Sequence, residues 1–180
     1  MEGTLPAQYG TVAKLLHWSI VALLAIQYPI GWLMPDIHRG QQPGTAMALH
    51  VSFGLVILTL MLLRLGWRLG HKVAPEPSLP RWQRVVSEAV HRLLYALVIA
   101  TTLTGWLFAS FRGWSLSFFF VAPLPMLASD NAAAGKFING WHQALEWTLL
   151  VTLALHIGAA LLHRFYYRDG VLQRMLPNEG

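Results

Sequence analysis

The sequence predicts an all-α integral membrane protein, one domain over residues 1–180, folded as a four-transmembrane-helix up-down bundle with both termini cytoplasmic. Three observations carry that expectation. Apolar residues make up 55% of the chain and charged ones 12%, against about 25% charged in ordinary soluble domains. Four stretches, about 15–34, 45–69, 89–111 and 137–165, each offer the roughly 20 mainly apolar residues that a helix needs to cross a bilayer. Lysine and arginine also divide unevenly between the loops. With the N-terminus inside, Lys14, Arg64, Arg68, Lys72, Arg81, Arg84, Arg92, Arg164, Arg168 and Arg174 share the cytoplasmic side, against Arg39, Arg112 and Lys136 opposite, and this bias sets topology.

The first stretch reads as a span and not as a cleaved leader. It contains His17, lacks a small-residue cleavage site before its loop, and precedes three further spans. The link over 72–84, "KVAPEPSLPRWQR", has three prolines and several charges, so an exposed cytoplasmic connection is expected between spans two and three. The loop over 113–136 differs, because its "WSLSFFFVAPLP" is aromatic, apolar and broken by Pro123 and Pro125. It reads either as an interfacial segment that caps the bundle or as a plain long loop. No repeat or low-complexity segment is visible.

The net charge of +5 follows from topology, and no aromatic-basic patch supports a nucleic-acid partner. The chain has no cysteine. That excludes disulfides, thiolate-ligated iron–sulfur clusters and covalent c-type haem attachment, so any haem must be held non-covalently.

Histidine placement carries the chemistry. Ionisable groups at membrane depth are costly and normally serve a pathway, a relay or a ligand. His142 and His156 are fourteen residues apart in span four, about 40° short of four full turns and roughly 21 Å along one face. His163 lies seven residues further on, within about 60° of the same stripe. With spans alternating in direction, His50 and His142 fall at one outer depth. His17, His91 and His156 fall at an inner depth, with His163 lower still.

Fourteen residues from His17 is Gly31, from His91 is Gly105, and from His50 is Arg64. Outer-level glycines leave room for a bulky planar group near the backbone, and Arg64 can face an anion at the inner level. Two haems stacked across the membrane, each on an imidazole pair, account for the whole pattern. Zinc is the competing use of clustered histidine, but it favours four tetrahedral ligands, and each layer supplies chiefly a pair. His38 and His71 read as solvated loop residues. Both axial positions filled by imidazole suit electron transfer more than oxygen chemistry.

The stretches "LLHWSIV" around His17, "ALHVSFGLVILTLMLLRLGWR" around His50 and Arg64, "VHRLLYALVIATTLTGW" around His91, and "WHQ…LHIGAALLHRFYYRDGVLQRM" resemble the bacterial cytochrome b561 family. Its relatives include the cytochrome b subunits of hydrogenases and formate dehydrogenases. The resemblance covers nearly the whole chain. It implies two haem b groups in a multi-pass protein of the bacterial inner membrane, with helix four pairing once with helix one and once with helix two. Carried over, the iron ligands are His17 with His156 on the cytoplasmic side and His50 with His142 on the outer side. Depth independently favours the second pair, whereas the residues alone leave His91 level with His17.

The resemblance further implies electron exchange with quinone, for which His91, Arg92 and His163 are candidate quinone-site residues or contacts of the inner haem, an imidazole being suited to proton supply. Glu146, one turn after His142, is a candidate for tuning the outer haem. The expected activity is single-electron transfer between an outer-side redox partner, or a small reductant such as superoxide, and the quinone pool. Two rivals stand beside it: an anchor subunit wiring a larger enzyme to quinone, and a histidine-lined proton or metal transporter. Against the transporter stand the lack of broken-helix repeats and the scarcity of buried acids.

Overall fold

A computed structural model of the chain describes residues 8–38 and 40–176; Arg39, counted above among the opposite-side charges, lies outside the described residues. Four long helices run in alternating directions: α1 (Thr11–Leu33), α2 (Thr45–Gly70), α3 (Arg81–Phe111) and α4 (Ala132–Leu162). All four are long and apolar enough to cross a membrane. At 31 residues each, α3 and α4 reach about 46 Å, beyond the roughly 30 Å hydrocarbon layer.

The helices therefore outrun the apolar stretches that announce them. The first turn of α3 carries Arg81, Gln83 and Arg84 and begins directly after Pro80, whose ring is compatible with the position before a helix. α4 begins at a cap, because the side chain of Asn131 accepts from the backbone N–H groups of Ala133 and Ala134, both at 3.1 Å. Within the spans, hydroxyls turn back on their own helices. Thr102, Thr104, Thr148 and Thr152 each donate to the carbonyl four residues earlier, which satisfies them where no water is at hand.

α1 packs on α2 and α3 on α4, and α2 joins the pairs through α3. No Cα of α1 or α2 comes within 8 Å of one in α4. Side chains bridge that gap. Tyr28 Oη donates to the carbonyl of Glu146 at 3.0 Å, Trp32 Nε1 donates to Glu146 Oε1 at 3.2 Å, and the rings of Trp32 and Trp147 stack 6.3 Å apart. An apolar layer of Ile20, Ile57, Met61, Leu97, Val98 and Leu149 fills the middle of the bundle. The outward faces carry exposed Leu15, Val151, Leu155 and Phe165, the composition of a lipid-facing surface.

At the face remote from the described termini, the segment 113–131 folds back over the bundle. Trp114 and Leu116 are buried against Val51 and Ala109, so the segment is a cap. Within it β1 (Ser117–Phe118) and β2 (Ala122–Pro123) pair antiparallel. Their turn holds Phe119 and Phe120 at φ of 44° and 64°, a strained region for bulky residues. Buried Ser52 pins the turn, its Oγ accepting from the N–H of Phe119 at 2.9 Å.

At the other face, the connection between spans two and three has no buried residue, as expected, but it does more than connect. Residues 81–84 already belong to α3, and the rest of the link is clasped by the chain after α4. That part opens with a π-helical turn, His163–Tyr167. Beyond it, Arg174 donates to the carbonyl of Ala74 and lies 3.7 Å from Glu76, while Trp18 Nε1 donates to the carbonyl of Met175 at 2.9 Å. Three prolines kept this link from forming helix, but its carbonyls still needed donors.

Candidate functional site

The imidazoles gather in two layers inside the bundle. In the layer remote from the termini, here the distal layer, the rings of His50 (α2) and His142 (α4) stand 6.5 Å apart at 84°. In the terminal-side layer, the rings of His17 (α1) and His156 (α4) stand 6.4 Å apart at 81°. A metal held between two imidazole nitrogens at about 2 Å from each, with ring centres about 1.2 Å behind, needs centroids about 6.4 Å apart. His91 (α3) also faces His156, but at 5.3 Å, about 1 Å too close for that arrangement. Among the described residues, no three His, Asp or Glu side chains form a metal-ion cage. The donors come in facing pairs.

Hydrogen bonds fix several ring orientations. His142 Nδ1 lies 2.9 Å from the carbonyl of Thr101 and 3.3 Å from Thr104 Oγ1. A metal-binding imidazole normally donates its second N–H in this way, leaving Nε2 for the metal. His91 Nδ1 lies 2.6 Å from the carbonyl of Ser87, four residues earlier. His50 Nδ1 is buried with no partner.

The two glycines do make clearance, but the imidazoles use it. A Cβ on Gly31 would come 3.2 Å from Cε1 of His50, and one on Gly105 would come 2.8 Å from Cε1 of His142. Each glycine admits the ring edge of a histidine from another helix. Beside them a cavity of about 220 Å³ is lined by His50, His142, Gly31, Gly105, Gln27 and Glu146, among others.

Arg64 stands at the terminal-side level, within electrostatic reach of His17, His91 and His156. Its Nε donates to Tyr95 Oη at 3.1 Å and its Nη1 to the carbonyl of Ala13 at 2.9 Å, which leaves several of its five N–H groups for an anion. Arg92 is not brought to the site: its side chain is 76% exposed and paired with Glu88 one turn back. A residue next to His91 points a quarter-turn away from it. His163 sits in the π-helical turn, with Nδ1 2.5 Å from Oδ2 of Asp169 and both side chains largely buried. His38 and His71 are exposed, and His71 stacks on Trp67 at 3.8 Å.

Several residues here escaped the sequence reading. Gln27 donates through Nε2 to the carbonyl of His50 at 2.8 Å. Tyr28, Trp32, Thr101, Thr104 and Asp169 also contact site residues. A lone carboxamide in a span was the available signal for Gln27; nothing in the spacing pointed to the hydroxyls.

An all-imidazole donor set whose pair spacing suits one intervening metal recurs in both layers, with glycine clearance added in the distal one, and these donors fit the chemistry of non-covalent haem. Comparison with known proteins agrees in kind. The sequence model for prokaryotic cytochrome b561 matches residues 8–178. The chain is similar to "Cytochrome b561 homolog 2" of Escherichia coli (strain K12), 28% identical over 173 residues that cover 95% of this chain and 92% of that protein. It is also similar to "Probable superoxide oxidase CybB" of Yersinia pestis, 28% identical over 173 residues, 96% of this chain and 97% of the relative. "Cytochrome b562" of Cereibacter sphaeroides is 25% identical over 176 residues, with 93% and 94% covered.

Proposed function

The chain belongs to the prokaryotic cytochrome b561 family, a membrane b-type cytochrome with an electron-transfer role, and we propose that it carries two b haems and passes single electrons across the bacterial inner membrane. The ligands are His50 with His142 for the distal haem and His17 with His156 for the terminal-side haem. One observation supports this above the others: two imidazole pairs, at different depths, share nearly the same ring spacing of 6.5 and 6.4 Å.

When bound between two imidazoles, haem iron supplies reversible one-electron exchange and does not readily bind oxygen. The protein's own residues do the rest. Thr101 and Thr104 orient His142, and the apolar layer between the two sites keeps water out of the middle of the path. The layers are about 21 Å apart along α4. Arg64, beside His17, His91 and His156, would hold acidic substituents of a haem bound there.

The termini lie in the cytoplasm, as the ten-to-three division of Lys and Arg supports. Quinone exchanges electrons in the terminal-side half, where His91 and His163 offer ring nitrogens for hydrogen bonding and proton transfer, while Arg92 is turned outward and paired with Glu88. Electrons are exchanged on the outer side with a redox partner or with a small reductant. Superoxide is the reductant that one relative's name supports.

A pyridine haemochrome assay on the purified full chain tests this reading. Two haem b per polypeptide are expected. A count of one, or a colourless protein made with ample haem supply, refutes it.

A further inference from the structure

Gln27 is the one carboxamide of α1, and it reaches across to the helix that carries His50. Its Nε2 donates to the carbonyl of His50 itself at 2.8 Å. Among the described residues, three buried side-chain atoms lack a hydrogen-bond partner: Gln27 Oε1, His50 Nδ1 and Thr101 Oγ1. All three residues line the distal cavity.

The first two atoms are complementary. An imidazole that gives Nε2 to a metal keeps its proton on Nδ1 and becomes a donor there, while a carboxamide oxygen is an acceptor only. The facing ligand already has this need met, because the carbonyl of Thr101 stands against His142 Nδ1. His50 lacks the counterpart, and Gln27 Oε1 lacks a donor. The Gln27 amide is anchored on the backbone of His50, and both orphan atoms belong to residues that line the same cavity. A buried water settles where a cavity offers it two or more polar partners, and Thr101 Oγ1, on the same cavity, offers a third.

We propose that Gln27 is a positioning residue for the distal haem: its nitrogen anchors the backbone of His50, and its oxygen receives the Nδ1–H of His50 through a water held in the cavity. This rests on the ligand reading given above. The bond holds the ring in the tautomer that presents Nε2, and an acceptor at Nδ1 makes an imidazole a stronger electron donor to its metal. Gln27 thus favours the oxidised form of the distal haem.

The test is a potentiometric titration of the purified full chain loaded with haem, followed at the haem bands and by EPR, for wild type, Gln27→Ala and Gln27→Met. His50→Ala identifies which signal is distal. Expected for both Gln27 variants is retention of two haems, an unchanged terminal-side potential, and a distal haem whose reduction is favoured threefold to tenfold. Tenfold corresponds to an upward shift of about 59 mV for one electron. Altered distal low-spin g-values should accompany it.

Two retained haems with an unchanged distal potential and unchanged g-values would overturn the role of Gln27 and leave the ligand pair standing. Fewer than two haems in wild type would overturn the ligand reading itself. A wild-type measurement is independent of how the variants fold. Pulsed EPR of chain labelled with ¹⁵N at histidine Nδ1 should find both distal ligands hydrogen-bonded at that nitrogen, and a free Nδ1–H on either one overturns the proposal.

Discussion

Gly105 and His142 are fitted to each other: a Cβ at position 105 would lie 2.8 Å from Cε1 of the imidazole, closer than side-chain atoms can come. The ring cannot retreat, because Thr101 and Thr104 hold its Nδ1. Gly105→Ala should therefore displace His142 and weaken the distal haem, at an overpacking cost of about 1–3 kcal/mol. Gly31→Ala, with 3.2 Å to Cε1 of His50, should do less. Haem-to-protein ratios of the two variants measure the difference, and equal full loading would count against imidazole clearance as the glycines' purpose.

Ligand pairing makes a sharper prediction. His50→Ala and His142→Ala should each abolish the same haem signal, and His17→Ala and His156→Ala the other. His91→Ala should retain both haems, because its ring stands 5.3 Å from that of His156, too close to hold a metal between the two. Absorption and EPR spectra of the five variants decide this; loss of a haem in His91→Ala with both retained in His17→Ala would reverse the terminal-side assignment.

The clasp between the chain after α4 and the link before α3 should contribute to stability. Arg174 meets the carbonyl of Ala74 and the carboxylate of Glu76, with only 12% and 18% of the Arg174 and Glu76 side chains exposed. Hydrogen bonds to charged groups are worth about 1.5–3 kcal/mol, so Arg174→Ala should lower the melting temperature of the purified protein. Glu76→Ala should cost less, and the double variant should fall short of the sum.

Asn131 caps α4 through two backbone N–H groups. Asn131→Ala should cost about 1 kcal/mol, and Asn131→Asp should cost little, since a negative charge suits a helix N-terminus. Both variants should keep their haem content, because His142 lies eleven residues along the helix. A denaturant or thermal melt read beside the haem bands separates the two effects.

Much of this was legible in the sequence, for physical reasons that differ by element. The spans declared themselves because a bilayer demands unbroken apolar length, and the imidazoles stood out because such groups are costly there. Depth alone placed His50 with His142, but three imidazoles at the other level left His17 and His91 level in the sequence, and only their ring spacings to His156, 6.4 and 5.3 Å, tell them apart. The helix starts at Arg81 and Ala132 were hidden, since helix outside the membrane has no need to be apolar. The turn at Phe119 and Phe120 has none of the Gly, Asn or Asp that normally mark positive φ. Arg92 looked eligible beside His91, but the helical rotation between neighbours turns it outward to Glu88. Gln27 was visible, but its partner was a backbone carbonyl, which carries no signature in side-chain spacing.

The backbone gap between α4 and the α1–α2 pair, closed by side chains alone, bears on how such a protein is assembled. A chain whose last rod touches the first two only through side chains can admit flat prosthetic groups sideways, after every rod has entered the bilayer. The imidazoles then act as rivets across the seam, so a chain denied them should be the looser, more readily proteolysed form.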